Sequence, residues 1–349
     1  MKQVVFYETG LPENVLQLEE IEKPTPAKAE ALIRITARNI NPSDVMFVQG
    51  LYGITPKLPS SAGFEAAGVV EESTKFPAGT RVLFTSIGTW KEYTCVPDAG
   101  LIPIPECMSD EVACQAFVNP VTAYGILETS GLGKGGSLLI TAGASAWGKV
   151  VIQLAAMRGI HVIATVRRQD QKQTLLDLGA TAVIDVATES VTKKVKELFP
   201  EGVDYVFDAV GGDQGAKALT CLKSGGKMLV FGLLSLEPIP LNSGLLIFKN
   251  LSVEGWWLSS WWEKLGNEGI QKAIKEVFTH LMKQDVKVDI QATYQLADFK
   301  EALIATHAWC NVYTHFLIET IYTLISAKKY HAQMPILVSN KLCINFDLP

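Results

Sequence analysis

Between two short apolar runs the chain places a turn made almost wholly of small residues, Ala142-Gly143-Ala144-Ser145-Ala146-Trp147-Gly148. The run before it, Leu138 to Thr141, has the length of a buried strand. After it Val150, Val151, Leu154, Ala155 and Met157 recur at helical spacing until Gly159, and a second strand is expected over Ile160 to Val166. Small side chains in a strand-to-helix turn leave backbone N–H groups open at a helix N-terminus, where the helix dipole favours a phosphate. A dinucleotide with a free ribose 2′-OH calls for Asp or Glu about 20 residues beyond the turn. This chain has Arg167 and Arg168 there, the natural partners of a 2′-phosphate. Gly143, Ala144, Ser145, Ala146 and Gly148, with Arg167 and Arg168, are therefore expected to hold NADPH. The plainer alternatives are an ordinary strand–helix turn followed by two solvated arginines.

The surrounding elements sort into two patterns. From residue 1 to about 120, short β-branched or alternating runs (Ala31 to Ala37, Gly68 to Glu72, Thr80 to Phe84, Tyr93 to Val96) are separated by prolines and turn residues, which predicts a β-rich, barrel-like domain. From 121 to 255, strands at Leu138, His161, Ala182 to Asp185, Tyr205 to Phe207, Lys227 to Phe231 and Leu251 to Val253 alternate with helices. Three of those helices are expected over Gln169 to Leu178, Val191 to Phe199 and Gln214 to Leu222. That alternation predicts an α/β fold with a doubly wound parallel sheet. Residues 256–349 begin with a long helical pattern, Glu263 to Gln284, and are expected to return to the first domain.

The 349 residues carry a formal charge of −5, with 48% hydrophobic and 19% charged residues, and mean hydropathy is +0.19. No basic stripe is present to neutralise phosphates, so nucleic-acid partners are not expected. The N-terminus lacks an export pattern and no run suits a bilayer, so neither secretion nor membrane insertion is expected; even the apolar Phe316 to Ile325 is broken by Glu319. Six scattered cysteines without a C-x-x-C pair suggest a reduced, cytoplasmic protein, and five scattered histidines show no metal-ligand spacing.

Further motifs extend through the first domain: Asn41-Pro42-Ser43-Asp44, then Gln49-Gly50-Leu51-Tyr52, then Leu58 to Val70 with Gly63-Phe64-Glu65, then Val118 to Tyr124. In this order and spacing they resemble the medium-chain dehydrogenases and reductases. With Phe248-Lys249-Asn250-Leu251 and Trp256 to Trp261, they resemble most the zinc-free enoyl-thioester reductases of the mitochondrial 2-enoyl-CoA reductase type. NADPH:quinone oxidoreductases are near neighbours. The resemblance runs from the N-terminus to about Ala305, and it implies a GroES-like catalytic domain, a Rossmann cofactor domain and a homodimer. Alcohol dehydrogenases of the family carry a zinc-binding Cys ahead of the Ser-Asp pair and a His before the Glu; here those positions hold Asn41-Pro42 and Phe64, so no metal is expected.

The resemblance places Tyr52 beside the substrate β-carbon and the nicotinamide, and a phenol suits that position because it can donate to a developing enolate or to the α-carbon. A half-buried packing tyrosine is the plainer alternative. Asn41 is expected to orient substrate or cofactor, or else to form an Asx turn. Thr122 is expected beside the nicotinamide, or else as a helix-start hydroxyl. Trp257 falls at a substrate-pocket position, while Trp256, Trp257, Trp261 and Trp262 do not share one helical stripe and include core or interface packing. Phe231, which ends the strand expected from Lys227, and Gly232 complete the cofactor set, and Glu65 is read as a support for the loop around Gly63 and Gly68. The implied reaction is zinc-independent hydride transfer from NADPH to the β-carbon of an α,β-unsaturated carbonyl compound, most of all a 2-enoyl thioester. Quinone reduction and a non-catalytic, crystallin-like NADPH-binding role are the alternatives. From His307 to Pro349 the ending departs from the family's pattern, in which a Gly-Lys-introduced strand completes the first domain.

Overall fold

The protein is described from a computed structural model over residues 1–310. The chain forms two compact units, Ala116–Asp289 inserted into a unit made of Met1–Gln115 and the segment from Ile290.

The first unit is antiparallel. Strands β1 (Lys2–Phe6), β2 (Gln17–Glu20) and β4 (Ser60–Ser61) form a small sheet in the order β2-β1-β4. Strands β3 (Glu30–Arg38), β5 (Glu65–Glu72), β6 (Arg81–Thr85), β7 (Tyr93–Pro97) and β8 (Ile102–Pro103) form a larger one in the order β7-β3-β5-β6-β8. Alternation sets the faces: Ala31, Ile33 and Ile35 of β3 turn into a core with Ala66, Val70, Val82, Phe84 and Val96, while Arg34 and Thr36 face outward. Gly68 in β5 is required by a close approach, since a Cβ there would stand 2.6 Å from the Arg34 carbonyl oxygen. A second core gathers Phe6, Phe47, Ala62 and Trp90 with Phe299 and Leu303 of the helix Phe299–Cys310.

The second unit is a six-stranded parallel sheet of β9 (Ser137–Ile140), β10 (His161–Val166), β11 (Ala182–Asp185), β12 (Val203–Asp208), β13 (Leu222–Val230) and β14 (Ser252–Gly255). Its order is β11-β10-β9-β12-β13-β14. The sequence winds outward from β9 in one direction and then from β12 in the other, so the switch point lies between β9 and β12. The central strands are apolar and fully buried, with Leu138, Leu139, Ile140, Val162, Ile163, Val206 and Phe207 at 0% exposure, as parallel strands covered on both faces must be.

Several expectations shift by a few residues. The helix placed at Gln214 to Leu222 runs over Gly212–Thr220, and Leu222 already opens β13. The pattern Gln169 to Leu178 divides into a tight turn, Gln169–Gln171, and a helix, Lys172–Asp177. The helix expected from Glu263 begins at Leu258, because Trp257 is extended and its carbonyl accepts from the Trp261 N–H. It continues to Met282 across a break at Gly266, whose φ is 65°. The boundaries also differ from 120 and 255: residues 256–289 cluster with the second unit instead of returning to the first. The reason is packing on the helix Val118–Ser130. Tyr124 Oη donates to Glu276 at 2.7 Å, Trp256 Nε1 donates to Thr129 at 2.9 Å, and a Cβ on Gly125 would stand 2.9 Å from the Trp256 ring. In the last stretch, a turn at Leu296–Asp298 leads into the helix Phe299–Cys310. The expectations for 311–349, including the missing closing strand, the Phe316 to Ile325 run, His315, His331 and Cys343, lie outside the described residues. No helix among the described residues is long and apolar enough to cross a membrane.

Candidate functional site

In the second unit the backbone builds the cradle. Ala142 takes a left-handed φ of 52°, and the Gly143 N–H then donates to Thr165 on β10 at 2.8 Å, closing the turn against the sheet. A Cβ on Gly143 would stand 2.6 Å from the Ala164 Cβ, and one on Gly148 would stand 2.5 Å from the Gly143 oxygen. Both positions therefore exclude a side chain, which is why the turn reads as small residues. Ser145 caps the helix Ala146–Met157, its hydroxyl accepting from the Gly148 N–H at 3.0 Å. Ala144 and Ala146 keep the approach to this N-terminus small. Trp147, in the first turn of this helix, is 5% exposed, its ring centroid 4.1 Å from that of Phe231.

Across the switch point a buried knot fixes the neighbouring loop. Thr141 donates to Asp208 Oδ1 at 2.7 Å and accepts from the Ala209 N–H at 2.8 Å, while Asp208 also accepts from the Val210 and Gly211 N–H groups. Burial pushes the Asp208 carboxyl upward, and these bonds oppose that shift. Phe231 donates its N–H to the Asp208 carbonyl at 3.0 Å, and Gly232 packs so closely that a Cβ would stand 2.6 Å from the Ala209 oxygen. Sequence reasoning assigned no role to Thr141 and Asp208; their signal is a polar residue directly after the apolar run Leu138–Ile140 and another directly after Val206-Phe207.

Arg167 and Arg168 follow the last residue of β10 directly, where the spacing expected them. Thr122 lies inside the helix Val118–Ser130, not at its start, so a capping hydroxyl does not describe it. Trp256, Trp261 and Trp262 pack within this unit: Trp256 and Trp261 lie 5.9 Å apart, and Trp262 meets Phe117 at 5.4 Å. Trp257 is half-buried at the mouth of the helix Leu258–Met282.

In the first unit side chains do the positioning. Asn41, 3% exposed, caps the helix Pro42–Gln49. Its backbone N–H donates to Asp44 at 2.7 Å, and its side-chain Nδ2 donates to Glu65 Oε1 at 2.9 Å. Asn39 Nδ2 donates to the same oxygen at 2.6 Å. Glu65 is thus a 1%-exposed acceptor joining the end of β3 to the helix cap, a firmer role than loop support alone. Asp44 is fully buried; burial holds its carboxyl well above the ordinary range, the Asn41 N–H opposes this, the nearby Glu65 charge adds to it, and the Phe64 N–H opposes it. Phe64 in turn packs against Phe47 and Tyr52, each ring centroid 5.3 Å away. The structure therefore links Asn41 to Tyr52 through Asp44 and Phe64. Asn39 was not singled out from the sequence, and Asp44 entered only as a motif residue with no role of its own, although an acid three residues after an Asn cap is a readable signal.

Known families match both units. The alcohol dehydrogenase GroES-like domain matches residues 27–106 and the zinc-binding dehydrogenase domain residues 146–279. A mitochondrial enoyl acyl-carrier-protein reductase of Xenopus tropicalis is 30% identical over 318 residues, covering 86% of this chain and 90% of that protein. The Escherichia coli quinone oxidoreductase, solved in complex with NADPH, superposes with a TM-score of 0.80 at 29% identity over 90% of this chain and 98% of that one. The mitochondrial 2-enoyl thioester reductase heterodimer of Candida tropicalis shares the fold, with a TM-score of 0.77 at 22% identity over 88% of this chain and 97% of that one.

Proposed function

This chain belongs to the medium-chain dehydrogenase/reductase family, and on that premise we propose that it is an NADPH-dependent reductase of α,β-unsaturated carbonyl compounds, 2-enoyl thioesters first among them. One observation carries the choice of acceptor. Phe64, at the position where the family's alcohol dehydrogenases place a zinc-binding His, offers no ligand atom and is packed between Phe47 and Tyr52. Asn41, at the position of the zinc-binding Cys, spends its Nδ2 on Glu65. A donor set of this kind suits a conjugated acceptor, whose negative charge develops as an enolate and needs hydrogen bonds and a proton instead of a Lewis acid.

Gly143, Ala144, Ser145, Ala146 and Gly148 receive the pyrophosphate at the helix N-terminus, and Arg167 and Arg168 receive the 2′-phosphate. Bound NADPH supplies a hydride to the β-carbon. Phe231, Gly232 and Thr122 would hold the nicotinamide end, Trp257 would contact the acyl group, and the Tyr52 phenol would supply the proton for the enolate oxygen or the α-carbon. Sheet-edge strand β14, beside a helix (Ser243–Lys249) that exposes Ile247 and Phe248 at 69% and 88%, suits pairing with a second copy, a homodimer that sedimentation equilibrium would detect. The free cysteines Cys95, Cys107, Cys114 and Cys221 suit a reducing compartment such as the cytoplasm.

The test is NADPH oxidation at 340 nm with crotonyl-CoA and with quinones. Reduction of the thioester, falling by about 10² in Tyr52→Phe, is expected. Turnover of quinones alone would favour the quinone oxidoreductase reading, which the likeness to the Escherichia coli enzyme supports. NADPH binding without any turnover would favour a non-catalytic role.

A further inference from the structure

Just after the two arginines that follow β10, the chain carries a carboxylate, Asp170, of the wrong sign for a phosphate site. Arg168 is followed by the tight turn Gln169–Gln171, in which the Gln171 N–H donates back to the Arg168 carbonyl at 3.2 Å. The turn brings Asp170 Oδ1 to 3.4 Å from Arg168 Nε, with the carboxylate side chain 71% exposed and the arginine 40% exposed. The next cation, Lys172, is paired with Glu189, whose Oε2 also accepts from the Asp185 N–H at the end of β11. Asp170 is therefore the carboxylate carried by the same turn as the two arginines.

We propose that Asp170 sets the balance between the phosphorylated and unphosphorylated forms of the cofactor, by competing with a 2′-phosphate for Arg168 and by accepting from a ribose 2′-OH when no phosphate is there. This inference rests on the dinucleotide reading above and names a selectivity residue within it. A 2′-phosphate approaching Arg168 meets a like charge already on that guanidinium, whereas a ribose hydroxyl is a donor that a carboxylate takes readily. The same side chain thus weakens one cofactor and strengthens the other. Because the pair is exposed, its influence is modest and screened by salt.

Asp170→Asn keeps the size and removes the charge. Titrations of the wild type and the variant with NADPH and with NADH, followed by reduced-nicotinamide fluorescence at low ionic strength, read both affinities without any acceptor substrate. The expected result is an NADPH Kd lowered by about three- to five-fold and an NADH Kd raised, with the difference shrinking as salt is added. A ratio of the two constants that stays within about twofold of wild type overturns the inference while leaving the cofactor reading intact. A wild-type protein that binds neither dinucleotide overturns both.

Discussion

The two units position their functional groups by opposite means. In the second, the backbone does it: a left-handed residue at Ala142, a turn tied to β10 through Gly143, and a helix N-terminus that Gly148 permits by lacking a Cβ. In the first, buried side chains do it, with Glu65 and Asp44 joining Asn39, Asn41 and Phe64. A backbone-built site tolerates exchange among small residues but no added bulk. A site built on buried carboxylates tolerates little chemical change even where volume is kept, because each acceptor serves more than one donor.

The contrast can be broken first at the cradle. Gly148→Val would drive side-chain carbons into the Gly143 backbone, which has no rotamer with which to yield, so NADPH affinity is expected to fall by about 10² or more, equivalent to about 3 kcal/mol. Near-normal NADPH binding in calorimetry would show that the turn does not depend on close backbone approach. The corresponding change in the first unit is Glu65→Leu, which strands two amide donors at similar volume. Thermal unfolding should report a loss of about 2 kcal/mol, and an unchanged melting curve would deny the carboxylate its joining role.

A smaller and finer test uses pH. Asp44 is held above its unfolded value of 3.8 in the folded chain, so its contribution is greatest below about pH 4 and is lost as pH rises toward the folded pKa. Asp44→Asn keeps an oxygen for the Asn41 and Phe64 N–H groups and cannot ionise. Its stability relative to wild type should therefore rise with pH from about 4 upward, by on the order of 1 kcal/mol per pH unit within that window. Parallel urea curves at pH 4, 5.5 and 7 would show that Asp44 does not titrate on unfolding.

How much of this could be read in the sequence follows the same division. Backbone geometry leaves a signature in residue type, so the turn at Ala142, the strands of the parallel sheet and Arg167 and Arg168 at the strand end were legible from spacing alone. The Glu65 hub was not, because Asn39 and Asn41 reach it from 26 and 24 residues away and nothing local to Glu65 announces two amide donors. The packing that keeps residues 256–289 with the second unit was hidden for a related reason. Trp256 and Trp261 fit a gap made by Gly125, and the Trp256–Thr129 bond beside it joins residues 127 apart in sequence, which local patterns do not reveal. Tyr52 and Phe64 were visible as motif residues, but their stacking was not.

The insertion of one unit into the other also orders events on the ribosome. Phe299 and Leu303 complete the core that holds Phe6, Phe47 and Trp90, yet they are synthesised after the whole of Ala116–Asp289. At about 5–20 residues per second the first unit waits roughly 10–35 s for its last helix. By the end of that interval the inserted unit has all its strands, while Phe6 and Phe47 still lack part of their cover. The nascent first unit is thus the natural client for a chaperone, and the parallel sheet is the part that can finish folding on its own schedule.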